Sequence, residues 1–178
     1  AYEDAARRIN ESGADAVWLQ HEYGIFGGPD GAMVCDFVDR IAAPLVLTCH
    51  TVLSEPSERQ AAIMRHLVSR ASRIMVMSRL ARDLLAQIYG AKDDAVEVIE
   101  HGAPDRPFGR QHQFKDKFGL GGRKVMMTFG LLGPGKGLES ALRAMPAIIA
   151  RHPDVIYRIV GATHPRLVAE EGETYRHR

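Results

Sequence analysis

Short apolar runs recur along the chain, separated by stretches in which apolar residues return every three or four positions. The runs are DAVWLQ (15–20), PLVLTC (44–49), RIMVMS (73–78), AVEVIE (95–100), KVMMTF (124–129) and VIYRIV (155–160). They are short, mostly rich in Val and Ile, and lack clean alternation. That combination predicts strands buried on both faces of a parallel sheet. The fourth and sixth alternate more, which predicts partial exposure or an edge position.

Helical periodicity fills the intervals. Residues 57–71 place Ile63, Met64, Leu67, Val68 and Ala71 on one face, with no Gly or Pro among them. Residues 79–89 place Leu80, Leu84 and Ile88 at intervals of four, and Gly90 supplies a left-handed stop. Residues 138–150 follow the same rule, with Pro146 expected to kink the helix or begin a new turn. The opening AYEDAARRINESGAD reads as an amphipathic helix ahead of any strand that could anchor it. Strand and helix alternate throughout, so the expected fold class is α/β with right-handed crossovers.

The pattern breaks at EHGAPDRPFGRQ (100–111), with four strands before it and two after. The expected division is a first lobe over 1–108 and the start of a second over 109–178. Two strands and one helix cannot bury a sufficient core alone. The chain therefore reads as an interior piece of a larger two-lobed protein, and it does not begin with Met.

Composition excludes more than it names. Hydrophobic residues make up 46% and charged residues 25%, as in ordinary soluble domains. A net charge of +1 and an aromatic content of 7% give no case for a nucleic-acid partner. No apolar run approaches the ~18 residues of a membrane span, and no signal peptide opens the chain. The two isolated cysteines, Cys35 and Cys49, fit a reducing compartment. A cytoplasmic location is the resulting expectation. His21 and Glu22 begin like a zinc-helix motif, but Ile25 stands where the second histidine would be, so no metal site is expected.

In parallel α/β sheets ligands bind beyond the carboxyl ends of the strands, so the segments just after the apolar runs are where a site would form. These tips are HEYGIFGGPDG (21–31), HTVLSEP (50–56), Ser78, HGAPD (101–105), GLLGPGKG (130–137) and GATHP (161–165). His50, clustered with Thr48 and Thr51, is a candidate site residue or a core histidine bonded to a carbonyl. His101 and Gly102 line a site or only form a turn. His21 and Glu22 contact a ligand or cap the adjoining loop. Gly27 and Gly28 bring backbone close to a ligand or merely loosen the loop. Ser78 is more readily a helix N-cap than a ligand contact.

The stretch FGLLGPGKGLES (129–140) carries the sharpest chemistry. Gly130, Gly135 and Lys136 fit the spacing of a Walker A loop, yet Gly137 stands where a hydroxyl would hold magnesium. Pro134 also removes a backbone donor. A loop between a strand and a helix can still hold an anion on free N–H groups, and Lys136 adds a compact charge. Gly130, Lys136 and Gly137 therefore predict metal-independent diphosphate binding rather than ATP hydrolysis.

Together with TCHTV (48–52), IMVMSRLARDLL (74–85), VIEHGAPD (98–105), TFGLLGPGKGLESALRAMP (128–146) and IVGATHP (159–165), these residues resemble a known family. It is that of the retaining GT-B glycosyltransferases of the family-four type, glycosyltransferase group 1. The resemblance implies two facing Rossmann-like lobes with the active site in the cleft and a hinge over 100–111. It implies a nucleoside-diphosphate sugar as donor substrate, no cofactor, and transfer to an unidentified acceptor with retained configuration. By the same resemblance Lys136 neutralises the donor diphosphate, Gly130 lets backbone approach it, and His50 lies near the transferred sugar. Ser78 and Gly102 fall at positions on the cleft side of the first lobe.

Two departures bear on this. Leu131 stands where the family commonly has a second diphosphate cation, and the family's paired glutamates lie beyond the chain. A nucleotide-sugar epimerase of the same fold and a non-catalytic sugar-nucleotide binding protein stay open as alternatives. Peripheral membrane contact is left to parts of the protein outside this sequence.

Overall fold

All six apolar runs form strands in a computed structural model that describes residues 1–177: β1 Val17–His21, β2 Leu45–Cys49, β3 Ala71–Val76, β4 Val96–Val98, β5 Lys124–Phe129 and β6 Val155–Val160. The helices are α1 Tyr2–Ser12, α2 Val34–Val38, α3 Glu58–Arg70, α4 Arg79–Tyr89, α5 Gln111–Lys117, α6 Leu138–Arg151, α7 Pro165–Glu171 and α8 Thr174–His177. The chain divides into two compact units, Ala1–Pro104 and Asp105–Arg178. No helix is long and apolar enough to cross a membrane among the described residues.

Local chemistry explains the helix ends. Ser57 and Gln60 form a reciprocal capping box at the start of α3, each side chain bonding the other's backbone N–H. α1 and α4 stop at Gly13 and Gly90, both in the left-handed conformation that a glycine adopts without steric cost. α6 is one continuous helix through Pro146, so the expected new turn does not begin there.

In the first unit four parallel strands lie in the order β1-β2-β3-β4. Right-handed crossovers that always step in one direction put every connecting helix on the same side of the sheet. Leu19, Leu47, Ile74 and Val76 accordingly meet Ile63, Met64 and Leu67 of α3 and Leu85 of α4 in one buried cluster. The opposite face, with Trp18, Gln20, Val46, Arg73, Met75 and Glu97, is uncovered in this chain, and Trp18 is 63% exposed. The expectation of strands buried on both faces is therefore corrected. Apolar outward residues such as Trp18 and Val46 hide the alternation from a reader of the sequence.

The helix stripe expected on α4 is also shifted. Leu85 and Tyr89 are buried, Ala81, Leu84 and Ile88 are partly so, and Leu80 is exposed. On α3 the expected face is right from Ile63 to Val68, while Ala71 begins β3 instead. α1 is anchored by side chains. Asn10 donates from Nδ2 to the Arg40 carbonyl (2.7 Å) and accepts from the Ala42 amide (2.9 Å).

The second unit is one parallel pair, β5–β6, in register from Lys124–Val155 to Phe129–Val160. Its buried cluster holds Leu132, Leu138 and Tyr175, with Tyr157 and Leu167 packed against them. β4 is an edge strand of the first sheet and β6 pairs only with β5, in keeping with their alternating patterns.

Candidate functional site

The tips of β1 and β2 in the first unit are laced together. The His50 amide donates to the His21 carbonyl at 3.0 Å, and Thr51 Oγ1 donates to Glu22 Oε2 at 2.5 Å. Glu22 Oε1 also accepts the amide of Tyr23. His50 is exposed and its Nε2 lies 2.8 Å from Gln20 Oε1. Its ring faces that of His101, with centroids 6.3 Å apart and planes inclined by 26°. Gly102 is exposed beside it. The polar cluster expected at these tips thus brings His50, His101 and Glu22 into one neighbourhood.

His21 is elsewhere in character. It is 0% exposed, its ring meets Tyr23 edge-on and stacks on Phe26, and neither ring nitrogen has a hydrogen-bond partner among the described residues. Burial holds its pKa down to about 4, so the ring is neutral. Cys49, buried just before His50, has its thiol pushed up to about 12 by the same desolvation.

The glycines after β1 are packed by protein. The Gly27 amide donates to the Tyr2 hydroxyl at 2.8 Å, and a Cβ on Gly27 would come within 2.9 Å of Met33 Sδ. Gly28, with φ of 80°, likewise faces Met33. Ser78 is exposed and caps α4, its Oγ accepting from the Ala81 amide at 3.1 Å.

In the second unit the tips of β5 and β6 press backbone against backbone. A Cβ on Gly161 would sit 1.8 Å from the Gly130 carbonyl oxygen, and Gly161 has φ of 150°. Only glycine fits there. The Gly130 amide donates to the Val160 carbonyl, and Leu132 pairs with Thr163 in an isolated parallel bridge.

The loop then turns through Pro134–Lys136 to Gly137, left-handed at φ of 63°, which opens α6 with no side-chain cap. Lys136 folds back over the strand tip, its Nζ 3.5 Å from where a Gly130 Cβ would lie. It is exposed and makes no ion pair among the described residues. The concavity around it, about 420 Å³, is lined by Leu131, Gly133, Gly135, His164 and Leu167. An unpaired cation, an uncapped helix start and glycine backbone in one concavity suit an anion.

Gln20 is invisible as a site residue in the sequence. It closes the first apolar run, and only the strand register reveals that it faces the β2 tip. His164 carries no signal of its own in GATHP either, and in the fold it caps α7 through Nδ1 and borders the concavity.

Comparison with known proteins agrees with this architecture. The chain is 30% identical over 138 residues to a D-inositol 3-phosphate glycosyltransferase of Rhodococcus jostii (strain RHA1), covering 68% of this chain and 30% of that protein. It is 32% identical over 104 residues to a GDP-mannose-dependent alpha-(1-6)-phosphatidylinositol monomannoside mannosyltransferase of Mycolicibacterium smegmatis, covering 55% and 26%. The chain thus spans about 30% of the length of the first of these relatives.

Among solved structures, Anabaena Alr3699/HepE in complex with UDP and glucose superposes with a TM-score of 0.72 at 18% identity, over 98% of this chain and 47% of that one. A glycosyltransferase from Rickettsia africae ESF-5 superposes at 0.57 and 13% identity, over 96% and 52%. These likenesses agree with the expected α/β class of Rossmann-like, GT-B-type units. The profile of Glycosyltransferase Family 4 matches residues 1–106, and the chain belongs to that family.

Proposed function

We propose that the protein to which this chain belongs transfers a glycosyl group from a nucleoside-diphosphate sugar to an acceptor, with retained anomeric configuration and without a metal ion. The observation that carries the proposal is Lys136, folded over Gly130 beside the uncapped start of α6. Breaking a glycosyl–phosphate bond leaves negative charge growing on the diphosphate. A positioned ammonium and helix N–H groups stabilise that charge, and one such donor is worth about 3 kcal/mol in a water-excluded site. Lys136 meets the diphosphate charge from the position of a Walker lysine, while Gly137 leaves no hydroxyl to hold a magnesium ion beside it. Leu131 offers no second cation, so more of the leaving-group stabilisation rests on Lys136.

At the other tip, His50 orients a hydroxyl of the sugar or of the acceptor. Family membership and the UDP and glucose carried by the Anabaena protein support this donor class. The test is Lys136→Ala in the full-length protein, assayed for sugar transfer with the fold checked by circular dichroism. We expect turnover to fall by about 10²–10³-fold, the usual loss for one charge-stabilising donor. Transfer at the parental rate would remove Lys136 from the chemistry.

A further inference from the structure

The open face of the first sheet carries a hydrogen-bond chain that ends on His50. Gln20 is the ladder partner of Thr48, and Trp18 lies two residues earlier on the same face of β1. Trp18 Nε1 donates to Thr48 Oγ1 at 2.7 Å, and Gln20 Nε2 donates to the same oxygen at 3.4 Å. The other end of the Gln20 amide, Oε1, lies 2.8 Å from His50 Nε2. Thr48 is fully buried although it sits on the open face, so this anchor is shielded from water.

The chemistry of each atom limits the arrangement. An indole N–H only donates, which makes Thr48 Oγ1 an acceptor toward Trp18. A hydroxyl oxygen has a second lone pair, and the Gln20 amino group fills it. Gln20 Oε1 only accepts, so the proton between it and His50 belongs to Nε2 of the imidazole. In a neutral ring Nδ1 then keeps its lone pair. The backbone of His50 is pinned by its bond to the His21 carbonyl, and its ring face is occupied by His101. These contacts set the position of the ring before any substrate arrives, and the orientation of the Gln20 amide sets its tautomer.

We propose that Gln20 is a positioning residue for His50: it holds the Nε2–H tautomer and so presents Nδ1 as a hydrogen-bond acceptor for a substrate hydroxyl at the β2 tip. The inference rests on the proposed placement of His50 in the sugar site. A reversed Gln20 amide, accepting from the Thr48 hydroxyl and donating to His50, would produce the opposite tautomer, so the two arrangements differ in an observable. The titratable groups around His50 include His101, His21, Glu22 and Cys49, and none of them bonds its Nε2.

The tautomer is read by nitrogen-15 NMR of the histidine-labelled chain above pH 8, with His50 assigned by its loss in His50→Gln. We expect a single Nε2–H form in the parent, a mixture in Gln20→Met, and the parental form again in Gln20→Glu, whose carboxylate also only accepts. Gln20 is exposed, so both variants are expected to fold, which an unchanged far-ultraviolet circular dichroism spectrum would check. In the full-length protein Gln20→Met should lower kcat about tenfold at unchanged donor KM, and Gln20→Glu should recover most of it.

An Nδ1–H tautomer in the parent, or one indifferent to Gln20→Met, overturns the proposal. A tautomer that shifts in the expected way with unaltered turnover also overturns it, because positioning would then serve no reaction. A protein that shows the expected tautomers yet transfers no sugar fails the functional reading instead, and the two failures are told apart by the substrate-free spectra.

Discussion

The two units are built from the same parallel strand–helix–strand element and differ sharply in what they bury. In the first, β2 is buried along almost its whole length and a cluster running from Ala6 to Val96 forms the core. In the second, β5 carries Met127 and Phe129 exposed, and three residues form the buried cluster. Apolar content does not account for this, since KVMMTF is about as apolar as PLVLTC. The width of the sheet and the number of helices packed on it do. A four-strand sheet with α3 and α4 on one face removes many side chains from water at once. A pair of strands with α6 leaves most of its side chains in contact with water. Each region places its candidate chemistry accordingly: a hydrogen-bonded histidine beside the deep core, and an exposed lysine on the shallow one.

The second unit is most vulnerable at Gly161. Gly161→Ala forces a Cβ into the Gly130 carbonyl and disfavours the backbone angle, and should cost more than about 4 kcal/mol, the exceptional end of single substitutions. We expect amide exchange to rise throughout the second unit with the first unit unchanged. Equal deprotection of both would show that they unfold together and that the contrast is superficial.

Leu67→Ala acts on the other side. Leu67 is fully buried against the first sheet, and its truncation should cost about 2–5 kcal/mol as a lowered denaturation midpoint. The amides of β5 and β6 should keep their parental exchange rates. A change of less than about 1 kcal/mol would mean that this core is looser than its burial implies.

A smaller effect sharpens the contrast through pH. The folded pKa of His21 lies at about 4, below the ordinary histidine value of 6.5. Between these values the unfolded chain binds a proton that the folded chain does not. Stability contributed by the neutral ring is therefore complete above pH 6.5 and is lost as pH falls toward 4. Between pH 7 and pH 5 the first unit should lose roughly 2 kcal/mol through this group. His21→Phe should flatten that slope in urea denaturation. An unaltered slope would assign the acid sensitivity to other groups.

How much is legible in the sequence depends on the range of the interaction involved. All six strands, the helix after Ser57, the glycine stop at Gly90 and the break at 100–111 emerge from periodicity and turn chemistry within a few residues. So does the glycine-rich, cationic make-up of 130–137 between a strand tip and a helix start, because these residues are adjacent in the chain. The short α2, α5, α7 and α8 are not legible, since four to seven residues carry too little periodicity to stand out.

What the amino-acid order settled alone, then, is the alternation of elements and the presence of a cationic loop, both local matters of backbone preference and spacing. Only the folded chain decided that the first sheet keeps one bare face, because helix sidedness comes from the order of strands in space. Only it could bring Gln20 and Thr48, 28 residues apart, into hydrogen-bond range and aim the Gln20 amide at His50. The same holds for His21, buried neutral while its neighbour Glu22 bonds Thr51: ladder register and the aromatic shelter of Tyr23 and Phe26 determine which of two adjacent polar residues meets water.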